Sequence, residues 1–316
     1  SETYFKGLFG EIDEPTYPFE LSDIRGNGSG VKESSIILPE DLSKEIRNVS
    51  VTLGISPAVM FHAAYGIVVA KCSNRDYAIF GSLFSGRLQA SLAAADSLGL
   101  FINTLPVILD LNGTIVEYLN SVKKRLGELL PYEQTSLSNV QGWSGISNDM
   151  PLFSALLNYR HSSAPVPINS EEDRTTVDLG ITLIGGHERT NYPFTLDIDD
   201  YGTDFGMVAQ IDGNIEPNRL LTYMEETLVE LLKGLKTKEQ LAVNKLAILP
   251  REESQLLETF NNTTVDYPLD KTVVDLFTNQ VEKSPNAIAA TFEGKKLTYK
   301  HGDEQSKKLA HCLVAK

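Results

Sequence analysis

Cysteine is scarce: the chain has two, Cys72 and Cys312, among 316 residues. They lie far apart, with no CxxC and no histidine at zinc-ligand spacing, so neither a disulfide framework nor a zinc site is indicated. Two thiols in a chain of this length fit a reducing, cytoplasmic setting. Positive charge is in deficit. Lys and Arg number 28 against 42 Asp and Glu, a net charge of −14, which argues against a nucleic-acid partner and against a polybasic membrane anchor. Long apolar runs are missing too, and none approaches the roughly 20 residues a membrane span needs. The first residues carry no basic segment followed by an apolar one, so no signal peptide is visible. There is no GxSxG nucleophile elbow and no GxxxxGK[ST] phosphate loop.

What is present is the composition of a folded protein. Hydrophobic residues make up 41% and include 13 Phe and 12 Tyr, enough to bury a core, and the length suggests about two domains. Leu42, Ile46, Val49 and Leu53 recur at helical spacing and stop at Gly54. Ser56-Pro57 then opens a helix to about Ala70 that is apolar all round and therefore buried. Tyr77–Phe84 and Phe101–Leu111 read as buried strands. Thr114 and Glu117 form a capping box ahead of a helix carrying Ile115, Tyr118, Val122, Leu126 and Leu129 on one face. Pro151–Tyr159 reads as a strand and residues 161–180 as a polar loop. Phe194–Asp199 and Phe205–Ile211 form a hairpin, and Pro217 opens a long helix. Residues 236–264 read as a polar join. A second unit follows: helix Thr272–Val281, strand Ala287–Phe292, turn Glu293-Gly294, strand Lys296–Tyr299 and a last helix. Strands and helices intermix, so the class is α/β or mixed α+β. The aromatic residues near the start have no clear element to hold them. The closing stripe Leu309, Cys312, Leu313 calls for a partner, so the sequence reads as part of a longer polypeptide.

Candidate chemistry is sparse. His62 falls within the buried helix and reads as a core histidine. His161 follows a strand end, where it is read as a solvated residue or a cleft lining. His187 and His301 occupy turn-like contexts. Gly26–Gly30 (GNGSG) precedes a strand instead of joining strand to helix, so it is a flexible loop and no phosphate cradle. Glu171, Glu172 and Asp173 read as a solvated acidic face, with no metal site indicated. Polar residues inside apolar strands say more. Asn103 and Thr104 interrupt one strand and Asn158 another, and buried amides must find partners. Arg87 follows the strand Tyr77–Phe84 directly, after Gly86, placed to reach a cleft or an acidic partner.

Several segments taken together resemble the C-terminal half of a condensation domain of a nonribosomal peptide synthetase. Leu98-Gly-Leu-Phe-Ile-Asn-Thr-Leu-Pro106 is similar to the family's [IV]GxFVNT motif. Leu130-Pro-Tyr-Glu-Gln-Thr-Ser-Leu137 is similar to its HQDxPFE region, with Tyr132-Glu-Gln where His-Gln-Asp is commoner. Pro151-Leu-Phe-Ser-Ala-Leu-Leu-Asn-Tyr159 resembles its final motif. Lys245–Pro250 and Phe260–Thr263 resemble the linker to an adenylation domain. Leu276–Ile288 and Leu297-Thr-Tyr299 resemble that domain's opening, with His301-Gly302 where Glu-Leu is usual. The resemblance implies a chloramphenicol-acetyltransferase-like lobe over residues 1–240, a linker over 241–264 and a truncated adenylation start over 265–316.

By that resemblance the lobe is the acceptor side of an enzyme that joins carrier-bound aminoacyl or peptidyl thioesters through an amide bond. The family's HHxxxDG motif belongs to the N-terminal lobe and is not in this sequence. The chain alone is therefore expected to be inactive, with no catalytic residue and no metal of its own. Arg87, Asn103, Thr104 and Asn158 are the expected tunnel-wall or structural residues. No cofactor is expected on the chain itself, since phosphopantetheine sits on the partner carrier domains. The implied partners are the condensation N-terminal lobe, upstream and downstream carrier domains, and the adenylation domain. Alternatives are an epimerisation-domain lobe, a non-catalytic interaction or exchange unit, and an acyltransferase of the HxxxD type.

Overall fold

The computed structural model describes residues 1–10, 12–85, 101–147, 149–161, 189–237, 241–266 and 268–315. Arg87, His187 and the acidic run 171–173 lie outside them. The chain divides into two compact units, Ser1–Ser254 and Gln255–Lys316.

The first unit is built on a six-stranded sheet. Its strands are β1 (Lys32–Ile37), β2 (Tyr77–Phe84), β3 (Asn103–Asp110), β4 (Ala155–His161), β5 (Phe194–Asp200) and β6 (Phe205–Ile211), in the spatial order β1-β6-β5-β4-β2-β3. β4 runs parallel to β2 and to β5, and the other pairings are antiparallel. A mixed sheet with helices is the expected fold class. One face is covered by helices α3 (Pro57–Cys72), α4 (Ile115–Leu129) and α6 (Pro217–Lys236), with α2 (Glu40–Leu53) alongside. Every residue of α3 from Val59 to Ala70 is buried, which explains why its sequence shows no polar stripe. Gly54 ends α2 in the left-handed region at φ +62°, and its N–H reaches the carbonyls of Ser50 and Val51, a C-terminal stop that glycine adopts without strain. The capping box of α4 is formed as read: Thr114 N–H donates to Glu117 Oε2 at 2.8 Å, and Glu117 N–H to Thr114 Oγ1 at 3.3 Å.

Three helices were not expected. α1 (Glu2–Leu8) gathers the aromatic start, with Phe5 and Phe9 buried. α5 (Leu137–Trp143) is seven residues long, opened by Ser136 accepting from the Asn139 N–H. α7 (Arg251–Asn261) lies within the stretch read as a polar join. The segment before it is not a loose tether: Val243, Leu246 and Ile248 are buried, and Ala242 bridges to Thr114. The division at Ser254 therefore falls inside the expected 241–264 linker.

The second unit contains α8 (Val273–Lys283), the antiparallel hairpin β7 (Ile288–Phe292) and β8 (Lys295–Thr298), and α9 (Tyr299–Val314). Glu293 and Gly294 turn the hairpin at positive φ, as two-residue hairpin loops require. Leu309 and Leu313 of the closing stripe are exposed, as is Cys312. Among the described residues, no single helix is long and apolar enough to cross a membrane.

Candidate functional site

Side chains alternate across a strand, and this alternation separates a packed face from a polar one. On the helix face stand Ala155, Leu157 and Tyr159 of β4 and Phe194, Leu196 and Ile198 of β5, all but Tyr159 fully buried. The opposite face carries Asn158 and Arg160 of β4 beside Asp197 and Asp199 of β5, and then Gln210 of β6 beside Glu33 of β1. At the β2–β3 end this second face is covered by α1, α5 and the segment around Phe153: Phe5 stacks near Trp143, and Tyr4 and Leu8 border Ile108.

Asn158 donates through Nδ2 to Asp197 Oδ1 at 2.8 Å. One position on, Arg160 pairs with Asp199 through both Nε and a terminal nitrogen. Strand register puts these partners opposite one another, Asn158 with Asp197 and Arg160 with Asp199. The result is a ladder of charge and amide on a face that aliphatic residues would otherwise occupy. Asp197 and Asp199 are buried, and a buried carboxylate requires such partners.

Asn103 opens β3 and gives both Nδ2 protons away, to the carbonyls of Glu133 and Thr135, each at 2.8 Å. It thereby ties the strand to the segment 130–136, so two separate sequence motifs meet at one amide. Thr104 pairs with Leu83 across β2, and its methyl packs over Gly81. A Cβ at Gly81 would lie 2.4 Å from Phe153 and 2.8 Å from the Thr104 methyl, so only glycine admits that ring. Phe153 in turn stacks on Tyr192 with centroids 5.5 Å apart. Thr104 and Asn158 thus stand on strands β3 and β4, with β2 between them, whereas Asn103 faces the 130–136 segment.

The histidines divide as well. His62 is buried, with Nδ1 2.7 Å from the Ala58 carbonyl and Nε2 2.8 Å from Ser82 Oγ. A carbonyl only accepts, so Nδ1 carries the proton and Ser82 donates to Nε2. Burial drives the imidazole down to about 4, and Ser82 is itself buried on the helix face. This Ser–His pair is a structural link from α3 to β2, as expected of a core histidine. His161 is largely exposed, with Nδ1 3.4 Å from Asp200, and His301 is exposed on α9.

Asp200 anchors the rim of the helix face. It accepts from Arg47 Nη2 at 2.6 Å, Tyr159 OH at 2.6 Å and the Gly202 N–H at 2.9 Å. Burial alone would raise its carboxyl, but these hydrogen bonds outweigh it and hold the group below its usual value. Arg47 also lies 4.0 Å over the Phe205 ring. The sequence reading missed Asp197, Asp199, Asp200 and Arg160. A signal for two of them was present: in β5, Asp197 and Asp199 alternate with Leu196 and Ile198, which marks one polar face. Among the described residues, no group of three or more His, Cys, Asp or Glu is placed to hold a metal ion.

The first unit is thus a mixed sheet with helices on one face and a polar ladder on the other. The condensation domain family model matches residues 19–258. The chain belongs to the condensation domain family. It is 37% identical over 315 residues to malpinin synthetase of Mortierella alpina, covering 99% of this chain and 4% of that protein. Among solved structures it is similar to a holo four-domain nonribosomal peptide synthetase bound to AMP and glycine. That likeness has a TM-score of 0.66 at 15% identity, over 99% of this chain and 25% of the other. It is also similar to the condensation domain of the Monacolin K polyketide synthase, with a TM-score of 0.57 at 18% identity, over 78% of this chain and 58% of the other. At these identities the structures show the fold alone. The chain spans only a small fraction of the length of the curated relative.

Proposed function

We propose that this chain is the acceptor-side lobe of a nonribosomal peptide synthetase condensation domain, followed by a linker over 241–264 and the first elements of an adenylation domain over 265–316. The observation that carries the reading is how far the likenesses extend. The chain accounts for 58% of an isolated condensation domain, which in turn covers 78% of it, whereas the likeness to a four-domain synthetase runs through 99%. A lobe plus the start of the next domain would align in this way.

The reaction is an aminolysis. The amine of the acceptor attacks the thioester carbon of the donor, an amide C–N bond forms, the C–S bond breaks, and the pantetheine thiol leaves with a proton. A thioester and a free amine need chiefly to be brought together in the right orientation, which by itself supplies much of the acceleration. In this reading, the chain provides wall and position. Thr104 and Asn158 stand along the polar sheet face and Asn103 fixes the 130–136 segment, while Arg87, outside the described residues, is kept as a candidate by its sequence position alone. No proton transfer is assigned to any of them. The proton-handling motif belongs to the other lobe, and the phosphopantetheine belongs to the carrier domains on either side.

The coding sequence upstream of Ser1 tests this reading. An in-frame HHxxxDG within the preceding domain-sized stretch is the expected result. A start codon close to Ser1 without that motif would overturn it in favour of a non-catalytic interaction or exchange lobe.

A further inference from the structure

The sequence contains two Asn-Gly steps, Asn27-Gly28 and Asn112-Gly113, and the fold treats them differently. At the first, Asn27 Oδ1 accepts the Ser29 N–H at 3.0 Å. Gly28, at φ +69°, packs so closely that a Cβ there would lie 3.0 Å from the Thr190 carbonyl oxygen. That carboxamide is held and its loop is braced. At the second, Asn112 and Gly113 are both exposed, in the turn between β3 and α4. Among the described residues, nothing bonds to the Asn112 carboxamide or to the Gly113 N–H.

Glycine is required at 113. Its φ is +78°, and a Cβ there would lie 2.8 Å from Glu117 Oε2, an oxygen committed to the capping box of α4. The residue after Asn112 is therefore the one that obstructs ring closure least. The Gly113 nitrogen can attack Asn112 Cγ. The bond from Cγ to the carboxamide nitrogen breaks, and that nitrogen leaves as ammonia with the Gly113 proton. Water then opens the five-membered imide. Opening at Cγ gives aspartate. Opening at the main-chain carbonyl gives isoaspartate, with the α-carboxylate free and the chain running through Cβ, one methylene longer.

That insertion falls beside a hydrogen-bonded seam. Val243 N–H donates to the Gly113 carbonyl at 3.0 Å, and Ile115 N–H to the Leu241 carbonyl at 3.2 Å. Thr114 is bridged to Ala242 between them, and Val243 and Leu246 are buried. A longer backbone at 112 moves Gly113 out of register with Val243. We propose that Asn112 is a deamidation site, and that its isoaspartyl form opens the seam between residues 113–115 and 241–243. The site goes beyond the condensation reading and does not depend on it.

The test ages the whole chain at mildly alkaline pH and follows it by peptide mass spectrometry, with Asn27 as the internal control. The Asn112 peptide should gain a single dalton as –NH2 becomes –OH. Its rate should exceed that of the Asn27 peptide by at least about fivefold, the factor one net hydrogen bond supplies. A protein isoaspartate methyltransferase should transfer methyl groups from S-adenosylmethionine to the aged chain. It should transfer far fewer to equally aged Asn112→Gln, whose longer side chain closes a ring slowly. Amide hydrogen exchange at Ile115 and Val243 should quicken by about fivefold or more in the aged chain. Freshly prepared Asn112→Asp carries the charge without the added methylene and should exchange like fresh wild type. Deamidation at Asn27 as fast as at Asn112 overturns the proposal. So does the absence of a mass gain at 112 while a short peptide of the same local sequence converts. Isoaspartate at 112 with Ile115 and Val243 still exchanging at the fresh rate overturns it as well.

Discussion

The buried His62 makes the stability of the first unit fall with acid in a window that can be calculated. An unfolded chain restores the imidazole to its ordinary 6.5, whereas burial in the fold lowers it to about 4. Between those values the unfolded chain binds the proton and the folded chain does not. Stability is therefore fully present above 6.5 and is lost as pH falls toward 4. Each pH unit is worth about 1.4 kcal/mol, so the loss across the window approaches ~3 kcal/mol. The chain's one tryptophan, Trp143, packs near Phe5 in the first unit, so its fluorescence during urea unfolding reports on that unit. The comparison is with His62→Gln, which cannot titrate. Asp200 and the other carboxylates act equally in both proteins and cancel in the difference. The wild type should be the more stable of the two at pH 7.5, and its advantage should shrink by about 1.4 kcal/mol for each pH unit from 6.5 downward. A stability difference that stays constant between pH 7.5 and 4.5 would refute the burial argument.

Three further outcomes follow from the packing. Gly81→Ala places a methyl group within 2.4 Å of Phe153 and should destabilise the first unit by about 1–3 kcal/mol in the same urea assay. Asn103→Ala leaves the carbonyls of Glu133 and Thr135 without their donor and should cost about 2 kcal/mol, while Asn103→Asp, which cannot donate when ionised, should cost more. Burial raises the Cys72 thiol to about 12, while Cys312 is exposed. At pH 8 a disulfide reagent should therefore label Cys312 rapidly, and Cys72 only at the rate at which the fold opens.

The parts of the fold written in local pattern were legible from the residues. The Thr114–Glu117 capping box, the Gly54 stop and the β5–β6 hairpin each depend on neighbours within a few positions. The buried character of α3 was equally plain, because a helix apolar all round has only one environment. The short helix α5 was not legible, since seven residues give barely two turns of periodicity. α7 was overlooked although Leu256, Leu257 and Phe260 recur at helical spacing, because its charged first turn resembled the polar stretch around it. The candidate site was legible only by residue type. Asn158 announced that a buried amide needed a partner, but Asp197 lies 39 positions away, and only the register of two parallel strands brings them together. The two carbonyls that hold Asn103 belong to a loop, which has no period to read. Arg87 lies outside the described residues.

The proposed function makes this lobe one half of a peptide-bond-forming site. The direct measurement is amide formation from a carrier-bound donor thioester and a carrier-bound aminoacyl acceptor, followed by mass spectrometry of the cleaved thioesters. It compares this chain alone with the same chain preceded by an HHxxxDG-bearing lobe. The account predicts product only from the joined form. Product formed by this chain alone would contradict it.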